Sequence, residues 1–245
     1  MKITNRMNLP GPIIRALEAD PYDGPGPHGR EISVSQLIGP PQIRSLMAAH
    51  ESELEQDASE MLHALLGTAF HAVLARGAHP SEVIERRFDV AVAGWNVSGQ
   101  VDRYIPEEGL LQDWKTCSAW KVMLGGNSDW EAQLNCYAFI LRKLGRRVER
   151  LEVVAFLKDL AEVRKTAKRR NIPDSDVVVL QIPLWEQEKA EAFVRERVSA
   201  HETALTSKPA PCTPVETWGG RRCEKYCPVR HFCPQIAPDP MFEVS

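Results

Sequence analysis

The sequence predicts a mixed α/β domain with a core of one helix, a three-strand meander, a second helix and a strand. It also predicts an N-terminal helical region and a cysteine-rich C-terminal tail. Three observations predict this architecture. Apolar residues alternate between helical and strand spacing along the chain, turn residues separate the runs, and four of the six cysteines lie at or beyond Cys212. The length of 245 residues is typical of one domain with a small addition.

The N-terminal part divides into an arm and a helical region. Residues 1–30 are rich in Pro and Gly, which predicts an irregular arm. From Ser33 to about Ala75 the pattern is helical. Its second half carries an apolar stripe at helical spacing, formed by Leu62, Leu65, Leu66, Ala69 and Val73. We expect the domain proper to cover residues 31–206 and the tail to cover 207–245.

The central part of the chain predicts the meander. Strand-like runs at Val83–Val92, Trp95–Ile105 and Leu110–Thr116 are separated by breaks short enough for hairpins. The remaining predicted elements are a helix, two strands and a late helix, at Asp129–Leu144, Leu151–Leu157, Val177–Pro183 and Trp185–Thr206.

Composition and charge exclude several classes. With 43% hydrophobic and 26% charged residues, the chain is not of a disordered, collagen-like or disulfide-scaffold type. No apolar run is long enough for a membrane span and no secretory segment begins the chain, so we expect a cytoplasmic protein with no membrane partner. The net charge is −3, yet residues 142–170 are strongly basic. That segment is either an electrostatic footprint for phosphate or a solvated helix face.

The second hairpin of the meander brings acidic residues together. If its turn is centred on Glu107 and Glu108, Asp102 lies directly opposite Asp113. Lys115 projects to the same face because strand side chains alternate. Two facing carboxylates repel each other, and a divalent cation between them removes the repulsion. Oxygen ligands of this kind suit Mg²⁺ or Mn²⁺, and the set is typical of metal-assisted phosphodiester hydrolysis. An Asp-x-Lys tripeptide alone occurs by chance in many proteins.

Four motifs in a fixed order raise the specificity of this pattern. They are Gly67-x-x-x-His71, Gly99-x-x-Asp102, Asp113-x-Lys115 and Gln133-x-x-x-Tyr137. This series resembles the PD-(D/E)XK nuclease superfamily. In particular it is similar to the RecB-type branch, with its recombination helicase-nucleases, phage RecB-like exonucleases and iron–sulfur CRISPR-associated adaptation nucleases. The resemblance covers about Ser33 to Leu184 and implies a restriction-endonuclease-like core.

The resemblance implies a function and a role for each motif residue. The chain would be a Mg²⁺- or Mn²⁺-dependent DNA exonuclease acting on single-stranded or end-bearing DNA, in recombination, repair or spacer processing. It would work with a recombination or helicase partner in a prokaryotic or phage-infected cell. The metal ligands would be His71, Asp102, Asp113 and the carbonyl oxygen of Trp114. Lys115 would be the catalytic lysine, with Gln133 and Tyr137 orienting it and the substrate phosphate.

Other interpretations of these residues stay open. His71 is also explained as a hydrogen-bonded helix histidine, and Gln133 and Tyr137 as ordinary helix packing with a polar rim. The whole fold could serve as a catalytically idle DNA-binding or adaptor module. A binding module has no need for opposed carboxylates, so Asp102, Asp113 and Lys115 together favour the enzyme. The sequence does not predict an oligomeric state.

The tail carries a candidate metal site formed by Cys212, Cys223, Cys227 and Cys233. In a cytoplasmic chain, four clustered thiols indicate a metal or cluster and not disulfides. The spacing lacks paired C-x-x-C knuckles, which weakens a zinc interpretation, and proline follows two of the cysteines, as at some iron–sulfur ligands.

The resemblance implies a [4Fe–4S] cluster in this tail. In the similar nucleases, three C-terminal cysteines join one that commonly precedes the core, but no cysteine precedes Cys117 here. Cys212 is therefore the expected fourth ligand, and zinc with His231 as a substitute ligand remains the alternative. The expected DNA contacts are basic residues of the 142–170 segment and of the tail, namely Arg164, Lys165, Lys168, Arg169, Arg170, Arg221 and Arg222.

Overall fold

The computed structural model describes residues 2–19, 24–125, 128–167 and 171–236. Within these ranges the strands, in chain order, are β1 (Lys2–Thr4), β2 (Glu31–Ser33), β3 (Glu55–Asp57), β4 (Val83–Val92), β5 (Trp95–Ile105), β6 (Leu110–Cys117), β7 (Arg150–Leu157) and β8 (Val177–Ile182). The helices are α1 (Gly11–Glu18), α2 (Val34–Leu37), α3 (Pro41–Ala49), α4 (Ala58–Leu74), α5 (Ala119–Leu124), α6 (Ser128–Lys143), α7 (Leu160–Thr166), α8 (Gln187–Thr206) and α9 (Arg221–Lys225). Short 3₁₀ turns occupy Ala75–Gly77 and Arg230–Phe232.

A six-stranded mixed sheet forms the centre of the fold, with strand order β2-β5-β6-β7-β8 and β4 paired to β5. Strand β4 is antiparallel to β5 and pairs with nearly its full length. The other edge of β5 is shared, because β2 pairs with its first part in parallel and β6 pairs with its last part in antiparallel orientation. The predicted meander β4-β5-β6 is therefore confirmed.

Helix α6 connects β6 with β7, which is the next strand of the sheet. It lies within the crossover from β6 to β7, two strands that pair in parallel, and a parallel pair requires such a connection. Almost every residue from Leu134 to Leu141 is buried. A helix that is apolar on all sides belongs in the interior, and α6 packs between the sheet and α8. The helices and mixed sheet confirm the predicted α/β class.

The N-terminal part is more structured than predicted. The prediction of an irregular arm over residues 1–30 is wrong for β1, which pairs in parallel with β3, and for α1. The helical region predicted from Ser33 to about Ala75 consists of three helices, α2, α3 and α4, with the short strand β3 before α4. Gly39 and two prolines interrupt it, and Pro41 begins α3 at a position where proline is favoured. Asp57 then caps α4 by accepting a hydrogen bond from the Ser59 backbone N–H.

The apolar stripe of α4 is not covered as the sequence predicts. Leu66 is 65% exposed and Val73 is also more than half exposed, whereas Phe70 packs edge-on against Phe156. Periodicity identifies an amphipathic helix but does not say how much of the apolar face meets the sheet. Among the described residues, no helix is both long enough and apolar enough to cross a membrane.

Candidate active site

The candidate site lies where β5 and β6 separate. Their ladder runs from Ile105↔Leu110 to Arg103↔Gln112 and stops there. This is the predicted register, but Asp102 and Asp113 lie one step beyond the last pair. The prediction that they face each other directly as a ladder pair is therefore wrong. Instead, the Asp102 carboxylate reaches across the fork and accepts a 2.6 Å hydrogen bond from the backbone N–H of Trp114.

The two aspartates and the lysine form a buried charged group. Burial, followed by the charge of Asp113, raises the pKa of Asp102 to about 7. Lys115 Nζ lies 2.7 Å from Oδ2 and 2.8 Å from Oδ1 of Asp113. Burial alone would lower the pKa of Lys115, but its attraction to Asp113 and Asp102 outweighs burial and raises the pKa above its ordinary value. The lysine is therefore a fixed positive charge beside the carboxylates.

His71 projects from α4 towards the same fork. Its Nδ1 atom lies 2.9 Å from Glu85 Oε1 and 3.6 Å from Asp102 Oδ1, and its Nε2 atom lies 3.1 Å from the carbonyl oxygen of Trp114. The hydrogen bond to Glu85 is the main reason that the pKa of His71 is raised, with burial opposing it and Asp102 adding to it. Both ring nitrogens face oxygen atoms, so His71 sits where a ligand of a shared metal would.

Glu85 is a site residue that the sequence reasoning missed. It lies opposite Asp102 in the β4–β5 register, between the pairs Ile84↔Arg103 and Arg86↔Val101. The first hairpin's register would have identified it. Its backbone is left-handed, with φ of +48°, which is a strained conformation for a non-glycine residue. Its second carboxylate oxygen accepts a 2.7 Å hydrogen bond from Gln100 Nε2, which holds the side chain towards His71.

Gln133 and Tyr137 meet the site from α6. The Gln133 amide donates a 2.8 Å hydrogen bond to the Tyr137 hydroxyl. The Tyr137 ring lies against the backbone of Gly99, where any Cβ atom would clash with it. Burial and the nearby charge of Asp113 raise the pKa of Tyr137 well above its usual value, so the phenol stays neutral. These two residues therefore border the carboxylates. The other motif glycine, Gly67, has open space around it.

The donor set fits a hard divalent cation. Ligand atoms of His71, Glu85 and Asp102 lie within 4.8 Å of one another. The carbonyl oxygen of Trp114 adjoins His71, and the buried carboxylate of Asp113 lies beside Lys115 Nζ. Carboxylate and carbonyl oxygens with one imidazole suit Mg²⁺ or Mn²⁺. Such an ion would also relieve the repulsion between the two buried aspartates.

The predicted DNA contacts lie in two regions. On α7, Arg164 donates hydrogen bonds to the carbonyl oxygens of Pro173 and Asp174, so its guanidinium braces a loop, whereas Lys165 is exposed. Lys168, Arg169 and Arg170 lie outside the described residues. In the tail, Arg221 and Arg222 stack near aromatic rings, Arg222 with its guanidinium carbon 4.1 Å from the centroid of Trp218.

The four tail cysteines are near enough for the other three to act electrostatically on Cys212. All four are free thiols of intermediate exposure. Burial raises the pKa of Cys212 to about 12, and Glu216 and the other three cysteines raise it further in that order of strength. The Cys212 thiol also lies 3.1 Å from Gln42 Oε1 of α3, which ties the tail to the N-terminal helices. Four neighbouring thiolates repel one another, so a cationic centre suits them in the same way as a metal suits the aspartates.

Comparisons with known proteins agree with this fold. The family model of the PD-(D/E)XK nuclease superfamily matches residues 47–234, a range that contains every motif described above. The crystal structure of SSO0001 is similar in fold, with a TM-score of 0.59 and 16% sequence identity over 91% of this chain and 94% of that one. A search of curated proteins finds no match.

Proposed function

Because the chain belongs to the PD-(D/E)XK nuclease superfamily, we propose that it is a Mg²⁺- or Mn²⁺-dependent deoxyribonuclease of the RecB-type branch. It acts as an exonuclease on single-stranded or end-bearing DNA, in recombination, repair or spacer processing and with a recombination or helicase partner. One observation carries the proposal. Asp102 and Asp113 are buried beside each other at the strand fork, and the ammonium group of Lys115 contacts Asp113. A protein that only binds DNA gains nothing from the repulsion between the carboxylates of Asp102 and Asp113.

Each residue of the site has a role in this proposal. His71, Asp102, Asp113 and the Trp114 carbonyl oxygen would hold the metal, which would supply a nucleophilic water and stabilise charge on the phosphate. Glu85 would orient the imidazole of His71 through their 2.9 Å contact. Lys115 would stabilise the developing negative charge on the phosphate. Tyr137, held by Gln133, would keep the far wall of the site closed to water.

The proposal is tested by digestion of end-labelled DNA. A linear single strand, a matched duplex and a circular single strand are incubated with Mg²⁺ or Mn²⁺. We expect the linear strand to be degraded from its end and the circle to resist. Lys115→Ala should slow the reaction by about 100-fold or more, while Lys143→Ala, which removes a lysine paired with Glu191 away from the site, should not. Intact DNA with a folded, metal-loaded wild-type protein would instead identify an idle DNA-binding or adaptor module.

For the tail we propose a [4Fe–4S] cluster held by Cys212, Cys223, Cys227 and Cys233. The mutual effect of these thiols on the pKa of Cys212 supports a shared ligand. The cluster would stabilise the last segment against the nuclease body, where Cys212 contacts Gln42. A cytoplasmic location suits the proposal because neighbouring thiols stay reduced there.

The cluster is tested by anaerobic purification followed by absorbance and metal analysis. We expect a brown protein that contains iron and sulfide and loses its colour in Cys227→Ser. Cys136→Ser is the matched control, because Cys136 is buried in α6 away from the tail. A colourless protein with stoichiometric zinc would establish the zinc alternative.

A further inference from the structure

We propose that Trp218 and Tyr226 form a stacking platform for the bases of single-stranded DNA, which leads a strand towards the active site. This inference deepens the proposed nuclease function, on which it rests, by naming how its substrate is held. Among the described residues, the strongly exposed aromatic side chains are these two, Trp218 at 48% and Tyr226 at 56%. Their ring centroids are 5.8 Å apart with an interplanar angle of 61°, so the two rings meet edge to face as adjacent aromatic contacts.

The backbone at Trp218 indicates that the indole is placed for contact with a ligand. Its φ is +53°, and Gly219 and Gly220 follow at +65° and +98°. Glycine adopts such angles without cost, whereas a bulky side chain is strained there. The surrounding turn holds this conformation, with a 2.9 Å hydrogen bond from Gly219 N–H to the Pro214 carbonyl oxygen. Strain of this kind collects at functional sites, and here it directs a large ring outwards.

Positive charge accompanies both rings. The guanidinium carbon of Arg222 lies 4.1 Å from the centroid of Trp218, and that of Arg221 lies 5.9 Å from the centroid of Tyr226. Arginine beside exposed aromatic rings is what sequence-tolerant binding of single strands uses, because rings stack on bases and guanidinium groups contact the backbone phosphates.

A cavity beside the platform reaches the start of α6. It has a volume of about 250 Å³ and is lined by Trp218, Arg222, Lys121 and Asp129 among others. Asp129 lies one helical turn before Gln133 of the candidate site on α6. The two acidic residues of the lining are paired, because Lys121 Nζ lies 3.1 Å from Asp129 Oδ1 and Arg197 Nη1 lies 3.5 Å from Glu216 Oε1.

A second cavity adjoins the Tyr226 ring. It has a volume of about 450 Å³ and is lined by basic residues, among them Lys225, Arg230 and Arg6, and by the acidic residues Glu53, Glu55, Asp57 and Glu60. Each ring of the aromatic pair therefore lines one of the two cavities. A strand whose bases cross the pair would extend into both of them.

The geometry favours a single strand over a duplex. Bases must be unstacked before their faces can lie on protein aromatic rings, and in a duplex those faces are covered by neighbouring base pairs. Removal of one stacking ring from such a site weakens binding by about five-fold or more.

The test is a binding titration without catalysis. A fluorescein-labelled oligothymidine and a labelled duplex of equal length are titrated with the full chain in EDTA, and anisotropy reports the Kd. We expect Trp218→Gly and Tyr226→Ala each to raise the Kd for the single strand about five-fold or more, with little change for the duplex. Trp218→Phe should restore most of the affinity because it restores a ring.

Two controls keep the outcomes separate. Val179→Ala removes an exposed apolar side chain on β8 and should leave the Kd unchanged. Trp218→Gly should fold, since glycine accepts its backbone angles, and circular dichroism checks this. An unchanged Kd in both platform variants, or equal losses for single strand and duplex, would overturn the inference. Hydrolysis of bis(p-nitrophenyl) phosphate by the wild-type protein with Mn²⁺ tests the nuclease proposal independently of the platform.

Discussion

A Cβ atom on Gly99 would lie 2.6 Å from two ring carbons of Tyr137. The Tyr137 ring, which α6 carries, therefore packs directly on the β5 backbone at Gly99, three residues before Asp102. This contact brings the Tyr137 hydroxyl and the Gln133 amide beside the carboxylates, although both residues belong to a helix that follows β6 in the chain. The absence of a side chain at Gly99 is thus a requirement of the site's construction.

We expect Gly99→Ala to destabilise the protein by about 2 kcal/mol, because the new methyl group overlaps the ring and also approaches Val34 at 3.2 Å. Urea unfolding measures this change. The matched control is Gly67→Ala in α4, where a Cβ atom meets nothing. That substitution should raise stability by about 0.5–1 kcal/mol, as alanine does within a helix. Equal effects at the two glycines would contradict the packing argument.

Asp102 makes the metal-free protein sensitive to pH. Its pKa of about 7 in the folded state lies above the ordinary value, so the folded state binds the proton more tightly than the unfolded state. The stabilisation that the folded state gains from the proton on Asp102 is complete below about pH 4 and is lost as the pH rises to about 7. At pH 8, Asp102→Asn should therefore raise the free energy of unfolding by about 2 kcal/mol.

Thermal unfolding with and without metal checks this prediction. Wild-type protein should gain stability from Mn²⁺ at pH 8, and Asp102→Asn should gain much less. The amide oxygen of the substituted side chain can still accept the hydrogen bond from the Trp114 backbone N–H, so the strand fork is retained. The control is Asp89→Asn at an exposed position of β4. A less stable Asp102→Asn protein at pH 8 without metal would show that repulsion does not dominate there.

Glu85 should determine metal affinity through His71. We expect Glu85→Ala to weaken Mn²⁺ binding by about 10–100-fold, since a histidine ligand depends on the carboxylate that orients its second nitrogen. Calorimetry without DNA measures the affinity. Glu107→Ala removes an equal charge from the exposed turn before β6 and should have little effect. If both variants bind Mn²⁺ as the wild type does, the 2.9 Å contact has no part in the metal site.

His201 should contribute a loss of stability in acid. Burial of this α8 side chain lowers its pKa to about 4, and the hydrogen bond of Nε2 with the Leu37 carbonyl oxygen 3.1 Å away opposes burial without outweighing it. The unfolded state takes up a proton near the ordinary pKa of His. The contribution is therefore present above about pH 6.5 and is lost as the pH falls to about 4, by up to about 3 kcal/mol.

The readout is the difference in unfolding free energy between wild type and His201→Gln as a function of pH. Asp102 contributes an opposite pH dependence to the stability of both proteins, and this dependence cancels in the difference. That difference should shrink as the pH falls from about 6.5 to about 4. His63→Gln is the matched control, because it makes the same substitution at an exposed position of α4. A flat difference for His201 would contradict its assignment as a buried neutral histidine.

Much of the sheet could be predicted from the sequence, because each strand of the meander is bounded by turn residues and alternates in character. The predicted bounds of β4 and β5 match the structure, and the register of β5 with β6 follows from the turn between them. The separation of these strands at Asp102 could not be predicted. It depends on β2, which occupies the same edge of β5 and comes from a distant part of the chain.

The site was predictable where spacing within one element determines position, as for Asp113 and Lys115 or for Gln133 and Tyr137. Glu85 was missed because its position opposite Asp102 follows from the pairing of β4 with β5, and spacing within one element does not indicate that pairing. The exposure of Leu66 was also missed, since amphipathic spacing orients a helix without fixing how deeply it is buried.

The short turn between Ile105 and Leu110 has a consequence for how this protein can evolve. Because the register of the two strands is set there, insertion of a single residue would carry Asp113 and Lys115 to the opposite face of the sheet. The charged group would be dismantled, and the buried apolar residues of β6 would change faces with it. Loop-length variation should therefore be tolerated elsewhere in the molecule and eliminated by selection at this one hairpin.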